Sequence, residues 1–421
     1  MPVVAVVGAQ WGDEGKGRVI DYLAQSADMV LRFQGGDNAG HTVINEHGTF
    51  KLHIVPSGIF NPNTTCLIGA GTVVNPANLI QELDALEAAN VRTDNLYISE
   101  RAHLILPFHP LLDGLEERDR RGASIGTTKR GIGPAYADKA ARRGLRVGDL
   151  LRPAVLEERL EPLILRANRK LVDHEEAPLE YEVVRAQLLH WADRLGDKII
   201  DTLPLTHHTI REGRSLLLEG QLGVMRDLDW GTYPYVTSSN PLVGGACAGA
   251  GIPPTAIDEV IGVVKCYGTA VGAGPFPGEL RDEDGRRLRE IGHEYGATTG
   301  RPRRCAWLDA VALKHAAMLS GFTSLVVTKL DVLDHFDEVK ICVAYLIDGK
   351  VVHHVPDTPD LERASPVYET WPGWRTPTTA CRTWSQLPAK AQRFLERIAV
   401  FGEAPLKHVS VGAERDAIIT L

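Results

Sequence analysis

Apolar positions along this chain come in short blocks separated by polar, glycine-containing stretches. Residues 3–8, VVAVVG, form an apolar run ending in glycine, and after a polar loop RVIDYLAQ (18–25) carries apolar residues at helical spacing. The predicted order is strand, loop, helix. It recurs at MVLRF (29–33) and CLIGAG (66–71), the latter followed by Asn75 and Pro76 in cap and first-turn positions ahead of a helix over 77–90. SLLLEG (215–220), VIGVVKCY (260–267) and SLVVTKLD (324–331) are further apolar runs that end in glycine, polar or charged residues. Runs of this kind suit parallel strands covered on both faces, with ligands gathered at the strand carboxyl ends. The stretch 151–212 differs. LEERLEPLILRANRKLV and YEVVRAQLLHWADRL read as helices of an inserted helical subdomain. EVKICVAYLIDGKVVHHV (338–355) alternates about Asp348-Gly349, a hairpin signal, and SPVYETWPGWRTP (365–377) reads as an ordered loop.

Composition narrows the class. With 421 residues and 44% hydrophobic content the chain can bury a large core, and we read 1–421 as one α/β domain with the helical insertion inside it. A net charge of −8 argues against nucleic acid as a partner. The six cysteines form no CxxC pair and no charged-then-apolar leader opens the chain, which predicts a reduced, cytoplasmic protein without a zinc site. No apolar run approaches the roughly 20 residues that span a bilayer, so no membrane partner is expected.

Chemistry concentrates in a few loops. In GAQWGDEGKGR, six residues separate Gly8 from Gly15 and Lys16, a longer interval than the P-loop pattern G-x-x-x-x-G-K allows. Gly12, Gly15 and Gly17 let backbone amides approach an anion at the start of a helix, and Lys16 supplies a point charge for a β- or γ-phosphate. Asp13, one of two acidic residues in the enlarged loop, is a candidate Mg²⁺ ligand, general base, or both. FQGGDNAGHT (33–42) is a second glycine-dense loop, in which Asn38 accompanies His41, a candidate donor to a transferring phosphoryl group. TKLD (328–331) places Lys329 and Asp331 in the Lys-x-Asp arrangement that reads guanine, with the carboxylate accepting from the base edge. GATTGRPRR (296–304) sets Arg301, Arg303 and Arg304 in a loop suited to carboxylates or phosphates, and IGTTKRGIGP (125–134) offers hydroxyls, glycines and cations for another phosphate.

Taken together, QWGDEGKG, NAGHT, PSGI, RGIGPAYADK, RRGLRVGDL, GTYPYVTSSN, VGAGPFP, GATTGRPRR and TKLDVLD resemble, in order and from Val3 to about Ile419, the adenylosuccinate synthetase family. The resemblance implies a large, mainly parallel central sheet flanked by helices, a P-loop NTPase-like variant with small antiparallel elements. It implies a GTP-dependent C–N ligase that joins L-aspartate to C6 of IMP through a 6-phosphoryl intermediate, releasing GDP and phosphate. Carried over residue by residue, Asp13 takes the N1 proton and holds Mg²⁺ with the carbonyl of Gly40, and His41 stabilises the phosphoryl group. Gly12, Glu14, Gly15, Lys16, Gly17, Gly40, Thr42 and Arg303 line the GTP phosphates, while Lys329, Asp331, Ser410 and Gly412 surround guanine. Asn38, Thr128, Leu222, Thr237 and Arg301 match IMP-site positions, with Arg142 arriving from the other subunit of a homodimer. Thr298, Thr299, Arg301 and Arg303 grip aspartate.

Several positions depart from the family pattern. EG-x-QG is EGQLG, placing Leu222 where the purine-facing glutamine is usual and Gln221 one place early. Lys129, Trp230, Ala270, Gly278 and Ala413 are further departures, most of them beside the monophosphate pocket. Three readings therefore stand at this point: the IMP ligase, a paralogue acting on a 2-amino or sugar-altered purine monophosphate, and a non-catalytic GTP-binding relative.

Overall fold

Ten strands of the chain form one sheet. The computed structural model describes residues 3–38, 40–45, 47–120, 122, 124–296 and 300–421. In chain order the sheet strands are β1 Val3–Gly8, β2 Met29–Arg32, β3 Thr65–Ile68, β4 Leu96–Ser99, β5 Ile199–Ile200, β6 Leu216–Gly223, β7 Glu259–Lys265, β8 Ser324–Thr328, β9 Leu406–Ser410 and β10 Ile418–Thr420. Their spatial order is β10-β9-β8-β7-β1-β6-β2-β3-β4-β5. Every neighbouring pair is parallel except β9 with β10.

The apolar run of β1 explains its central place. Val3, Ala5 and Val7 lie in one core cluster and Val4 and Val6 in the other, so alternate side chains fill both faces and no residue is left for solvent. β1 sits between β6 and β7, and the carboxyl ends of these strands open toward one edge. The site is built on that edge.

The strands predicted at 3–8, 29–33, 66–71, 215–220, 260–267 and 324–331 all form, with shifted ends. The run at 260–267 divides: after Lys265 the chain leaves the central sheet, and Tyr267–Ala270 starts a second sheet. There it pairs antiparallel with Arg304–Asp309, which runs parallel to Glu338–Ile347. The predicted hairpin closes as Glu338–Ile347 against Lys350–Val352. The expected loop at 365–377 is corrected in its first part, because Ser365–Pro372 is a strand along Glu338–Ile347. Its Val-Tyr-Glu-Thr-Trp core has strand-forming side chains, and Pro372 falls at the strand end where a missing donor costs nothing.

Within 151–212 lie the helices Pro153–Asp173, Tyr181–Leu195 and Thr202–Arg211. Leu156, Leu160, Leu163 and Leu188 pack in the same cluster as residues of β2, β3 and β4, and Ile199–Ile200 continues the sheet beside β4. Among the described residues no helix is long and apolar enough to cross a membrane.

Candidate active site

The loop from β1 to helix α1, Lys16–Ala24, is shaped from the inside by Glu14. This fully buried carboxylate accepts the backbone N–H of Gln10 (3.1 Å) and Gly12 (2.9 Å) through Oε1, while Lys16 Nζ donates to Oε2 at 2.5 Å. Gly12, Asp13 and Gly15 all have positive φ (105°, 56° and 89°), which Asp13 alone among them adopts with a side chain. The side chain of Thr328, at the end of β8, donates to the Glu14 carbonyl at 2.6 Å and closes the loop from the far side. Trp11 anchors the near side by donating to Asp309 at 3.2 Å. Glu14, Lys16 and Gly17 are buried, and Gly15 is the left-handed cap of α1. The helix amino end and its loop amides therefore face the strand edge as an anion seat, with the Glu14 carboxylate compensating Lys16 behind it.

Asp13 stands at the rim, 31% exposed, with Oδ2 at 2.9 Å from Arg303 Nε. Arg303 in turn donates to Glu294 Oε2 at 2.7 Å. Burial opposes charge on Arg303, but Asp13 and Glu294 outweigh it and its pKa rises. Glu294 is 1% exposed and also receives Lys265 Nζ (3.0 Å) and the Tyr267 hydroxyl. Burial alone would raise its pKa; Lys265, Lys329 and Arg303 overcome that and bring it to about 2. Glu294 is thus the shared counter-charge of three cations, one of which is the expected guanine-site lysine.

A cavity of about 270 Å³ opens beside Asp13, and Gly12, Asn38, Gly40, Thr128, Leu222, Thr237 and Arg303 line it together. Among the described residues the hydroxyl of Thr237, buried there, has no partner, and it is a donor suited to a phosphate oxygen. The loop carrying Thr128 is held by Glu117, which accepts the N–H of Ile125 (3.3 Å), Gly126 (2.6 Å) and Thr127 (3.4 Å). Burial opposes ionisation, but the Ser124 hydroxyl together with those amides outweighs it and lowers the pKa of Glu117, so a carboxylate occupies amides of the kind that cradle phosphate. Arg226 braces the opposite wall through the carbonyls of Tyr235 (2.6 Å) and Val271 (2.7 Å); burial and Arg304 bring its pKa down to about 10.

On the other side of the β1 loop lies the Lys-x-Asp pair. Lys329 has φ 63° and donates to the Gly292 carbonyl at 2.9 Å, its pKa lowered by burial. Among the described residues Asp331 Oδ1 is buried without a donor, and burial raises the Asp331 pKa. An orphaned acceptor of this kind fits the N–H edge of guanine. Arg18 donates to Ser410 Oγ and, at 2.9 Å, to the Ala417 carbonyl, bringing the segment of Ser410 and Gly412 against α1.

Asp13, Asn38, Gly40, Thr128, Leu222, Thr237 and Arg303 therefore share one cavity; Lys16 lies in the same loop as Asp13, and Lys329 is coupled to the cavity through Glu294, the counter-charge it shares with Arg303. Arg142, with φ 60°, lies elsewhere, in a cavity of about 960 Å³ together with Arg143 and Arg146. Arg301 and Thr42 are exposed, Thr42 on the hairpin His41–Asn45 with Gly48–Leu52. Thr298, Thr299 and the side chain of His41 lie outside the described residues. Glu294, Arg226 and Glu117 went unnoticed in the sequence, where each is an isolated charge without a motif. Only the GHEYGATTGR context, placing Glu294 before the arginine loop, offered a signal.

Comparison with known proteins accords with this geometry. The family model for adenylosuccinate synthetase matches residues 5–419. The chain belongs to the adenylosuccinate synthetase family. Adenylosuccinate synthetase of Gloeobacter violaceus is 52% identical over 421 residues, covering 100% of this chain and 96% of that protein. That of Heliobacterium modesticaldum is 50% identical over 428 residues, covering 100% and 99%. A solved structure of fully ligated adenylosuccinate synthetase from Plasmodium falciparum superposes with a TM-score of 0.94 at 35% identity, covering all of both chains. The succinoaminodeoxyadenylate synthetase of cyanophage S-2L, bound to dGMP and dATP, has a TM-score of 0.63 at 19% identity over 100% of this chain and 95% of its own; it shares the fold. Adenylosuccinate synthetases are GTP-dependent ligases that join IMP and aspartate in purine biosynthesis, and this chain is such an enzyme. The family uses GTP and Mg²⁺.

Proposed function

We propose that this chain makes adenylosuccinate at the cavity beside Asp13, with the residue roles that follow. The observation carrying the assignment is the meeting of Asp13, Asn38, Gly40 and Arg303 on one cavity wall, in front of the Lys16 loop. The purine of IMP enters with its monophosphate toward Thr128 and Thr237, where a hydroxyl without a partner among the described residues and the loop amides of 125–127, once Glu117 is displaced from them, meet the phosphate. Asp13 accepts the N1 proton, and negative charge moves onto the 6-oxygen. That oxygen attacks the γ-phosphorus of GTP, and the bond to GDP breaks. The amine of aspartate then adds at C6, and phosphate leaves with the oxygen. His41 is assigned the stabilisation of the phosphoryl group in transfer.

Arg303 connects the two half-reactions. In the structure it neutralises Asp13; a γ-phosphate or an aspartate carboxylate draws it away and leaves Asp13 free to take the proton. Thr298, Thr299 and Arg301 complete the grip on aspartate. The hard oxygen donors of Asp13 and Gly40 fit Mg²⁺, which ordinarily keeps few protein ligands and completes its shell with phosphates and water. Bound there, Mg²⁺ would neutralise phosphate charge. Asp331 reads guanine, with Lys329 beside it, and Arg142 serves the phosphate of the other subunit in a homodimer.

The test is turnover with GTP, Mg²⁺, aspartate and either IMP or dGMP, followed by product absorbance and phosphate release. IMP-dependent release is expected. Phosphate release with dGMP alone would instead establish the altered-acceptor reading that Leu222 first raised.

A further inference from the structure

The end of β6 departs from regular strand in a way that gives Gln221 a task. Leu222 adopts φ 66°, a left-handed conformation unusual for leucine, and the pairing of β6 with β1 shifts register between Val6 and Gly8. This places Leu222 on the cavity wall and turns Gln221 inward, where it is fully buried. The backbone of Gln221 is fixed by Gln34 Nε2, which donates to its carbonyl at 2.7 Å, and Gln34 is itself held by Ser239 at 2.8 Å.

The Gln221 carboxamide has a single possible orientation. The backbone N–H of Gly36 can only donate, and it meets Oε1 at 3.1 Å. Nε2 must then be the other end, and it donates to Asn38 Oδ1 at 3.1 Å. Asn38 consequently presents its amide nitrogen as the end left for the cavity. The arrangement needs space: a Cβ on Gly35 would fall 1.8 Å from Gln221 Oε1, so glycine is required there, with φ 85° as well.

We infer that Gln221 is a positioning residue that locks Asn38 as a hydrogen-bond donor to the 6-oxygen of the purine. The inference rests on the cavity being the purine-nucleotide site. Leucine at 222 cannot donate to that oxygen, and the relay Gly36 N–H, Gln221, Asn38 supplies the donor from the adjacent position. It acts when charge gathers on the oxygen after N1 loses its proton; a misoriented Asn38 would then place its own carbonyl oxygen against that charge. Losing one such preorganised donor commonly costs about 10² to 10³ in rate.

Gln221→Glu tests it. An ionised glutamate accepts from Gly36 and from Asn38 Nδ2, which turns the Asn38 oxygen toward the substrate. At pH 8.5 kcat with IMP should fall by about 10², with KM for GTP little changed. As pH is lowered toward 6, the ratio of variant to wild-type kcat should rise, because a protonated glutamate donates as glutamine does. Asn38→Ala and the double variant Gln221→Ala/Asn38→Ala should be equally slow within about twofold, since Gln221 acts through Asn38. Binding of a fluorescent GDP analogue verifies that each variant is folded. A parallel pH profile for Gln221→Glu, or losses that multiply in the double variant, would overturn the inference in favour of a merely structural glutamine. Should the Gln221 variants fail to fold, Leu222→Gln decides: less than a twofold gain with IMP supports the relay, and a gain of tenfold or more overturns it. A wild-type enzyme inert toward IMP and toward dGMP would instead overturn the cavity assignment on which all of this rests.

Discussion

Two carboxylates at the site are set for different tasks by their surroundings. Asp13 is partly exposed on a left-handed residue and faces the cavity, whereas Asp331 is buried with one oxygen unsatisfied among the described residues. Asp13→Ala should lower adenylosuccinate formation by about 10² or more in a protein that still folds, measured by product absorbance alongside circular dichroism. Asp331→Asn replaces a charged acceptor with an amide that can place a donor against the guanine edge. The preference for GTP over ATP and XTP should collapse, read as kcat/KM for the three donors, while KM for IMP stays within about twofold. Both aspartates were legible because they sit in spaced motifs, GDEGKG and TKLD. Glu294 was not: nothing in its own neighbourhood announces that Lys265 and Lys329, far apart in the chain, converge on it. Similarly, Glu14 reads from its motif as a phosphate-loop residue, yet it is buried and tethers Lys16 from behind.

At the scale of elements, the apolar blocks ending in glycine, polar or charged residues marked six strands of the central sheet, since a strand buried on both faces must be apolar along its length. The strand at 365–372 was missed because proline, glycine and tryptophan around it signal a turn, and its ladder depends on a partner from 338–347. The loop 124–128 is held by Glu117, and this sets a prediction. A substrate phosphate that uses the amides of residues 125–127 has to displace the carboxylate, so Glu117→Gln should lower KM for IMP several-fold with little change in kcat. A raised KM in steady-state assays would show that Glu117 organises the loop for substrate. Glu294→Gln removes the common partner of Lys265, Arg303 and Lys329 from a buried position. About 3 kcal/mol should be lost, measured by urea unfolding without ligands.

For the whole molecule, stability should depend on acid through two buried imidazoles. His103 is brought to about 4 by burial with Lys139 and Arg146, and His408 to about 4 by burial with Lys407. Both start from 6.5 when unfolded, so as pH falls from there toward 4 the unfolded chain binds protons that the folded chain refuses. The histidine contribution is full above pH 6.5 and declines through that window, by up to about 3 kcal/mol for each group. His408→Gln should flatten the decline by about half of the histidine part, seen as the difference between wild-type and variant urea midpoints across pH. The placement of Glu294 has a further consequence at this scale. In the proposed arrangement Arg303 belongs to the end that meets aspartate and phosphate and Lys329 to the end that meets guanine, and one carboxylate answers both. Occupancy at either end must change the field felt at the other. Thermodynamic linkage then requires aspartate to alter GTP affinity by the same factor by which GTP alters aspartate affinity, so the two ends of the sheet edge are conversant.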